Sequence, residues 1–175
     1  MTSDTQGSII DAEEKGSDTV APGEKIKILL LSDSHSNNNA LVTVLLQNND
    51  ADVIIHCGDG QDDLDGFMPL LYGKSVYRVE GNWHTYGATP RRITTVIGGR
   101  TFYISHGFDE RVKTDLTGLK YRAALEKADI VCYGHTHQQH DETDSGVRYI
   151  NPGAVFEGRY AVIELTDEDV NVTMW

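Results

Sequence analysis

Two imidazoles one residue apart, in Gly134-His135-Thr136-His137, are the first residues whose types and spacing suggest chemistry. They follow the apolar run Ile130-Val131-Cys132, then Tyr133 and a glycine, so a strand ends in a tight loop that presents both rings. A similar layout occurs three times upstream. Ile28-Leu29-Leu30-Leu31 precedes Asp33-Ser34-His35, Val53-Ile54-Ile55 precedes Gly58-Asp59-Gly60, and Phe102-Tyr103-Ile104 precedes Ser105-His106-Gly107. Delivering Asp and His from several strand ends to one sheet edge is a way to build a polynuclear metal site.

Taken singly, each motif has a plainer explanation. Asp-x-His occurs by chance, and Gly-Asp-Gly is more often a turn than a ligand. Asn82 after Gly81 could be an ordinary turn residue, and His106 a satisfied polar group. Gly-His-Thr-His is harder to explain structurally, and the joint occurrence at strand ends decides for the metal site.

The elements that must position these residues are legible from residue 25 onward. Ile26–Leu31 reads as a strand, and Asn38–Asn48 as a helix capped by Ser36 or Asn37. Val53–Cys57 is a strand whose continuous apolar run implies burial on both faces. A helix over Leu64–Leu71, which contains Pro69, and a strand over Ser75–Val79 complete a β-α-β-α-β opening with parallel strands. Arg92–Ile97 and Arg100–Ser105 flank Gly98-Gly99 as a hairpin. Leu119–Lys127 is a helix and Ile130–Tyr133 a strand. Gln138–Glu142, Val147–Ile150, Tyr160–Leu165 and Val170–Met174 read as antiparallel strands. A parallel half followed by an antiparallel half predicts two packed sheets with helices outside.

Size and composition agree with one domain. The chain has 175 residues, 39% apolar and 24% charged, and carries a net charge of -12. No apolar run approaches a membrane span, and the N-terminus lacks the pattern of a secretory signal. Cys57 and Cys132 fall in buried strands and read as small hydrophobes in a reducing compartment, which points to the cytoplasm. Residues 1–24 carry Asp4, Asp11, Glu13, Glu14, Asp18 and Glu24 against Lys15 alone and read as a disordered acidic tail. The acidic surface argues against binding nucleic acid backbones. Self-association into a homo-oligomer is left open by the sequence.

In this order, Asp33-Ser34-His35, Gly58-Asp59, Gly81-Asn82, His106 and Gly134-His135-Thr136-His137 resemble the calcineurin-like metallophosphoesterases. Chain length, Asn37 and Asn151-Pro152-Gly153 make the chain similar to their small bacterial and archaeal phosphodiesterase branch, which is related to the retromer scaffold subunit. The resemblance covers Lys25 to the C-terminus. It implies a four-layer α/β/β/α sandwich of two mixed sheets over residues 25–175. It also implies a binuclear centre whose metal-bound hydroxide hydrolyses a small phosphodiester. Asp33, His35 and His137 would hold one metal, Asn82, His106 and His135 the other, and Asp59 would bridge them. Oxygen and imidazole donors without thiolates suit manganese first, with Fe, Co, Zn or Ni as alternatives. A protein-interaction scaffold and a phosphomonoesterase are the rival functions, and the full donor set favours the enzyme.

The chain departs from the family pattern after Asn82. Many members continue Gly-Asn-His plus an acidic residue, with that histidine protonating the leaving group. Here Trp83 takes the histidine position and His84 the acidic one, so His84 becomes the candidate proton donor. Trp83 is expected either to stack on a substrate ring or to pack over the site. His56 reads as a satisfied core histidine, His140 as solvated, and Arg91-Arg92 as a solvated pair rather than a phosphate site.

Overall fold

The computed structural model describes residues 24–83 and 89–175. His84 and all of the acidic tail but Glu24 lie outside the described residues. In chain order the elements are β1 (Ile26–Leu31), α1 (Asn38–Gln47), β2 (Val53–His56), a 3-10 segment (Gln61–Phe67), α2 (Met68–Leu71) and β3 (Ser75–Arg78). They continue with β4 (Arg92–Ile97), β5 (Arg100–Ser105), α3 (Thr117–Leu125), β6 (Ile130–Cys132), β7 (Gln139–Asp144) and β8 (Val147–Pro152). A short 3-10 turn (Val155–Glu157) leads into β9 (Ala161–Leu165) and β10 (Val170–Met174).

Among the described residues ten strands form two five-stranded sheets, ordered β10-β9-β1-β2-β3 and β4-β5-β6-β8-β7. Side-chain alternation along each strand divides the apolar residues among layers. In β1, Ile28 and Leu30 face the second sheet, where they join Phe102, Ile104, Ile130 and Ile150. Leu29 and Leu31 face the other way and pack with Leu41, Val44 and Leu45 of α1. On the far side, Tyr103, Val131 and Tyr149 pack with Leu119 and Ala123 of α3. The result is the four-layer sandwich of two mixed sheets that the sequence predicts. Cys57 and Cys132 lie in the inter-sheet core as free thiols.

Two expectations need correction. The second half of the chain is not uniformly antiparallel. β8 runs parallel to β6 and antiparallel to β7, while β9 and β10 return to the first sheet beside β1. Each sheet therefore contains three adjacent parallel strands: β1, β2 and β3 run to one edge of the first sheet with antiparallel β9 on their other side, while β5, β6 and β8 are flanked on both sides by antiparallel β4 and β7. The helix expected over Leu64–Leu71 is a 3-10 segment followed by the single turn of α2, with Pro69 in its first turn. A proline there lacks only an N–H that has no intrahelical partner. The first helix is capped by Asn37, whose side chain accepts from the Ala40 amide at 3.2 Å.

Candidate metal centre

The site forms where the carboxyl ends of β1, β2 and β3 meet those of β5 and β6. Asp33 lies beyond β1, Asp59 beyond β2, Asn82 beyond β3, His106 directly after β5 and His135 beyond β6. The loops interlock across the sheets. The Asp33 amide donates to the Gly58 carbonyl at 2.9 Å, and the His135 amide donates to Asp33 Oδ2 at 3.1 Å. Gly134 and Gly81 are required by these approaches, since a Cβ would collide with Ser32 Oγ at the first and with Asp59 Oδ1 at the second.

The donors fall into two groups, Asp33–His35–His137 and Asp59–His106–His135, and within each group the ligand atoms lie within 4.8 Å of one another. His137 Nε2 is 3.1 Å and His35 Nε2 3.6 Å from Asp33 Oδ1. His106 Nε2 is 3.3 Å from Asp59 Oδ2, 2.9 Å from Asn82 Oδ1 and 3.1 Å from His135 Nδ1. Asp59 Oδ2 also lies 3.9 Å from His35 Nε2, so it faces both groups. All seven sequence-predicted donors are thus brought together.

Backbone conformation is unusual at most of these positions, as it also is at Ser36, Arg111, Lys127 and Ser145. Asp33, His35, Asp59, His135 and His137 have φ of 54°, 45°, 55°, 69° and 60°. Left-handed backbone is uncommon for non-glycine residues, and it persists where surrounding structure over-determines it. Hydrogen bonds supply that constraint. Buried Asn151 donates to the Gly134 carbonyl at 2.9 Å and to Thr136 Oγ1 at 3.1 Å, and it accepts from the Gly153 amide at 2.9 Å. The Asn-Pro-Gly string therefore clamps the histidine loop, a role its composition did not disclose.

The donor set fits divalent cations on chemical grounds. His106 Nδ1 is 2.7 Å from the Cys57 carbonyl, which can only accept. That bond fixes the proton on Nδ1, so neutral His106 aims an Nε2 lone pair at Asp59, Asn82 and His135. Converging lone pairs repel unless a cation lies among them. Burial disfavours a charged His106, yet Asp59 and Asp33 outweigh it and raise its pKa. Burial likewise opposes charge on Asp59, but the bonds from His106 and from the Trp83 amide bring its pKa down to about 2. Burial, reinforced by His106, lowers His135 to about 4 and leaves it neutral at neutral pH. In the other group Asp33 Oδ1 and His35 Nε2 are buried with no hydrogen-bond partner. Leaving such atoms unpaired is costly, and coordination would satisfy both.

The remaining histidines take different roles. His56 is fully buried, accepts from the Gly58 amide at 3.2 Å and lies 3.3 Å from Ser34 Oγ, which donates to Asp63 at 2.6 Å. It is the satisfied core histidine expected. His140 is not simply solvated: its Nδ1 is 2.9 Å from the Tyr133 hydroxyl and its Nε2 3.2 Å from Glu142. Arg91 is solvent-exposed and also ion-paired, 3.2 Å from Asp109 and 3.5 Å from Glu80, at a cavity of about 230 Å³ shared with Asn82, His106 and Phe108. Two aromatic residues escaped sequence reasoning. Phe108 stands 5.4 Å from His135, and Phe156 stands 5.4 Å from His35 and 5.2 Å from His137, centroid to centroid. Trp83 adjoins His35 at 4.9 Å. The only signal for Phe108 was its place two residues after His106.

Comparison with known proteins agrees with this geometry. The family model of the calcineurin-like phosphoesterase superfamily domain matches residues 26–168. A probable metallophosphoesterase of Bacillus subtilis is 30% identical over 157 residues, covering 86% of this chain and 90% of that protein. A predicted phosphoesterase from Streptococcus pneumoniae superposes with a TM-score of 0.73 at 28% identity, over 86% of this chain and 88% of the other. Two more distant structures share the fold. An archaeal phosphodiesterase has a TM-score of 0.69 at 22% identity over 86% and 100% of the two chains. Vacuolar protein sorting 29 of Cryptosporidium parvum has 0.68 at 18% over 86% and 97%. Among the described residues no helix is long and apolar enough to cross a membrane.

Proposed function

The chain belongs to the calcineurin-like phosphoesterase superfamily, and within it we propose a metal-dependent phosphodiesterase with a binuclear centre that acts on a small diester. The carrying observation is the pair of adjoining donor groups, with Asp59 of the second group 3.9 Å from His35 of the first. Asp33, His35 and His137 would hold one ion, Asn82, His106 and His135 the second, and Asp59 both. Manganese is the proposed metal, since the donors are oxygens and imidazoles without thiolates. Two such ions supply Lewis acidity toward phosphate oxygens and lower the pKa of an attacking water.

The chain's own residues prepare the site for this chemistry. The Cys57 carbonyl keeps the His106 Nε2 lone pair inward, and Asn151 holds His135 and His137 on one rigid loop. His84 is proposed to protonate the departing alkoxide.

Charge supports a diester over a monoester. Among the described residues Arg91 is the one arginine or lysine lining the cavity beside Asn82 and His106, where it stands with Glu80, Asp109 and Glu110 and is ion-paired to the first two. A monoester dianion would meet that carboxylate-rich wall at a greater electrostatic cost than a singly charged diester. The rival reading, a protein-interaction scaffold, does not call for seven metal-type donors converging on one edge of the sheets. A cytoplasmic setting accompanies the proposal, in keeping with the free thiols of Cys57 and Cys132. Steady-state assays with added manganese test it, using bis-p-nitrophenyl phosphate against p-nitrophenyl phosphate. Metal-dependent turnover should favour the diester. Preferred turnover of the monoester, or no metal-dependent turnover of either, would refute the reading.

A further inference from the structure

Three aromatic rings stand around the donor groups and remain open to solvent. Trp83 is 38% exposed, Phe108 52% and Phe156 36%. Large apolar side chains normally gain by burial, so three exposed rings about one polar site invite a functional account. Trp83 and Phe156 both meet His35, Phe156 also meets His137, and Phe108 meets His135, all in near-perpendicular ring contacts. His35 and His137 belong to one donor group and His135 to the other. The rings therefore bracket the site from both sides.

We infer that Trp83, Phe108 and Phe156 determine specificity by stacking on planar groups carried on either side of the phosphate, so that the preferred substrate is a dinucleotide-sized diester. The inference rests on the diesterase reading and adds the chemical class of the two ester substituents. Base–aromatic stacking is tolerant of base identity, because every base offers a π-face. The cavity of about 230 Å³ beside Phe108 also opens on Asn82 and His106, which places a receiving space directly against one donor group. Charge sets the upper size limit. A chain of net charge -12 has little means of tracking a long polyanionic backbone, so a single internucleotide linkage fits better than a polymer.

The competing account gives the rings a purely structural role, orienting the imidazoles. The two accounts differ in what they protect. Orientation serves every substrate, whereas stacking serves only those that carry rings.

The test measures kcat/KM for thymidylyl-thymidine and for ring-free glycerophosphoglycerol in the manganese-loaded protein and in its Trp83→Ala, Phe108→Ala and Phe156→Ala variants. The ratio of the first to the second should fall about tenfold in the Trp83 and Phe108 variants, mostly through KM, and Phe108→Tyr should restore it. Binding supplies a second readout that needs no turnover. Thymidylyl-thymidine should quench tryptophan fluorescence in the wild type but not in Trp83→Phe, which retains Trp175. Equal losses on both substrates, or quenching that survives Trp83→Phe, would overturn the stacking role and leave the diesterase reading standing. Turnover of monoesters alone would remove the diesterase reading, while the fluorescence titration would still judge the stacking.

Discussion

Asp59 Oδ2 stands 3.9 Å from His35 Nε2, across the division between the two donor groups, while lying 3.3 Å from His106 Nε2. One buried carboxylate thus faces imidazoles delivered by opposite sheets. Two cations held close together repel strongly unless a shared anion lies between them, and Asp59 is placed to be that anion. Asp59→Asn should accordingly cost more activity than any other single donor change, about a hundredfold or more, and should weaken both metal sites together. Parallel metal titrations of Asp59→Asn and His137→Ala check this. Equal losses in the two variants would argue against a shared role.

Asn151 makes a different prediction, because it touches the histidine loop and not the reacting groups. Its side chain is fully buried, with partners at the Gly134 carbonyl, Thr136 and the Gly153 amide. Asn151→Ala leaves buried polar groups unsatisfied and should cost about 2–3 kcal/mol of stability. Metal affinity should fall about 10–100-fold as His135 and His137 lose their fixed backbone. Urea unfolding and metal titration of the same variant measure the two effects separately.

His56 predicts the direction of an acid effect. Burial first, then His106, lowers its pKa from 6.5 to about 3. Above pH 6.5 the ring is neutral in both folded and unfolded chains and contributes no pH dependence. As pH falls below 6.5 the unfolded chain takes up a proton that the folded one refuses. Stability is therefore lost by up to about 1.4 kcal/mol per pH unit until pH approaches 3. His56→Asn should flatten that slope by about one proton. Urea unfolding of the metal-free wild type and variant between pH 6.5 and 5 gives the comparison, and parallel slopes would contradict it.

Much of this was legible in the sequence, for identifiable reasons. Apolar runs such as Ile28–Leu31 and Val53–Ile55 mark strands wherever they occur, and the Asp and His donors follow those runs directly. Strand direction was not legible. Val147–Ile150 reads the same whether it runs parallel to β6 or against it, so the return of β9 and β10 to the first sheet stayed hidden. The stretch after Asp59 misled because Leu64, Phe67 and Leu71 are apolar at near-helical spacing, whereas Gln61–Phe67 winds as a 3-10 segment. Left-handed backbone at Asp33 or His137 leaves no mark on composition. Tyr133, a partner of His140, and Glu80 and Asp109, the partners of Arg91, come from other segments, which no local pattern reveals.

His84 carries the proposal for leaving-group protonation. Its unperturbed pKa near ~6.5 suits proton donation at neutral pH. General acid catalysis contributes about 10²–10⁴-fold and matters most for poor leaving groups. His84→Ala should therefore slow hydrolysis of alkyl diesters at least about a hundredfold, while nitrophenyl diesters lose only a few-fold. Equal small losses on both would remove His84 from the mechanism and leave the metal site unaffected.

The central claim is that the seven donors form two metal sites joined by Asp59, and metal stoichiometry tests it most directly. The purified chain would be stripped with chelator, loaded with manganese and freed of excess ion before elemental analysis. The account predicts about two ions per chain for the wild type. A value that stays near zero at saturating manganese would contradict it and favour a scaffold role for the fold.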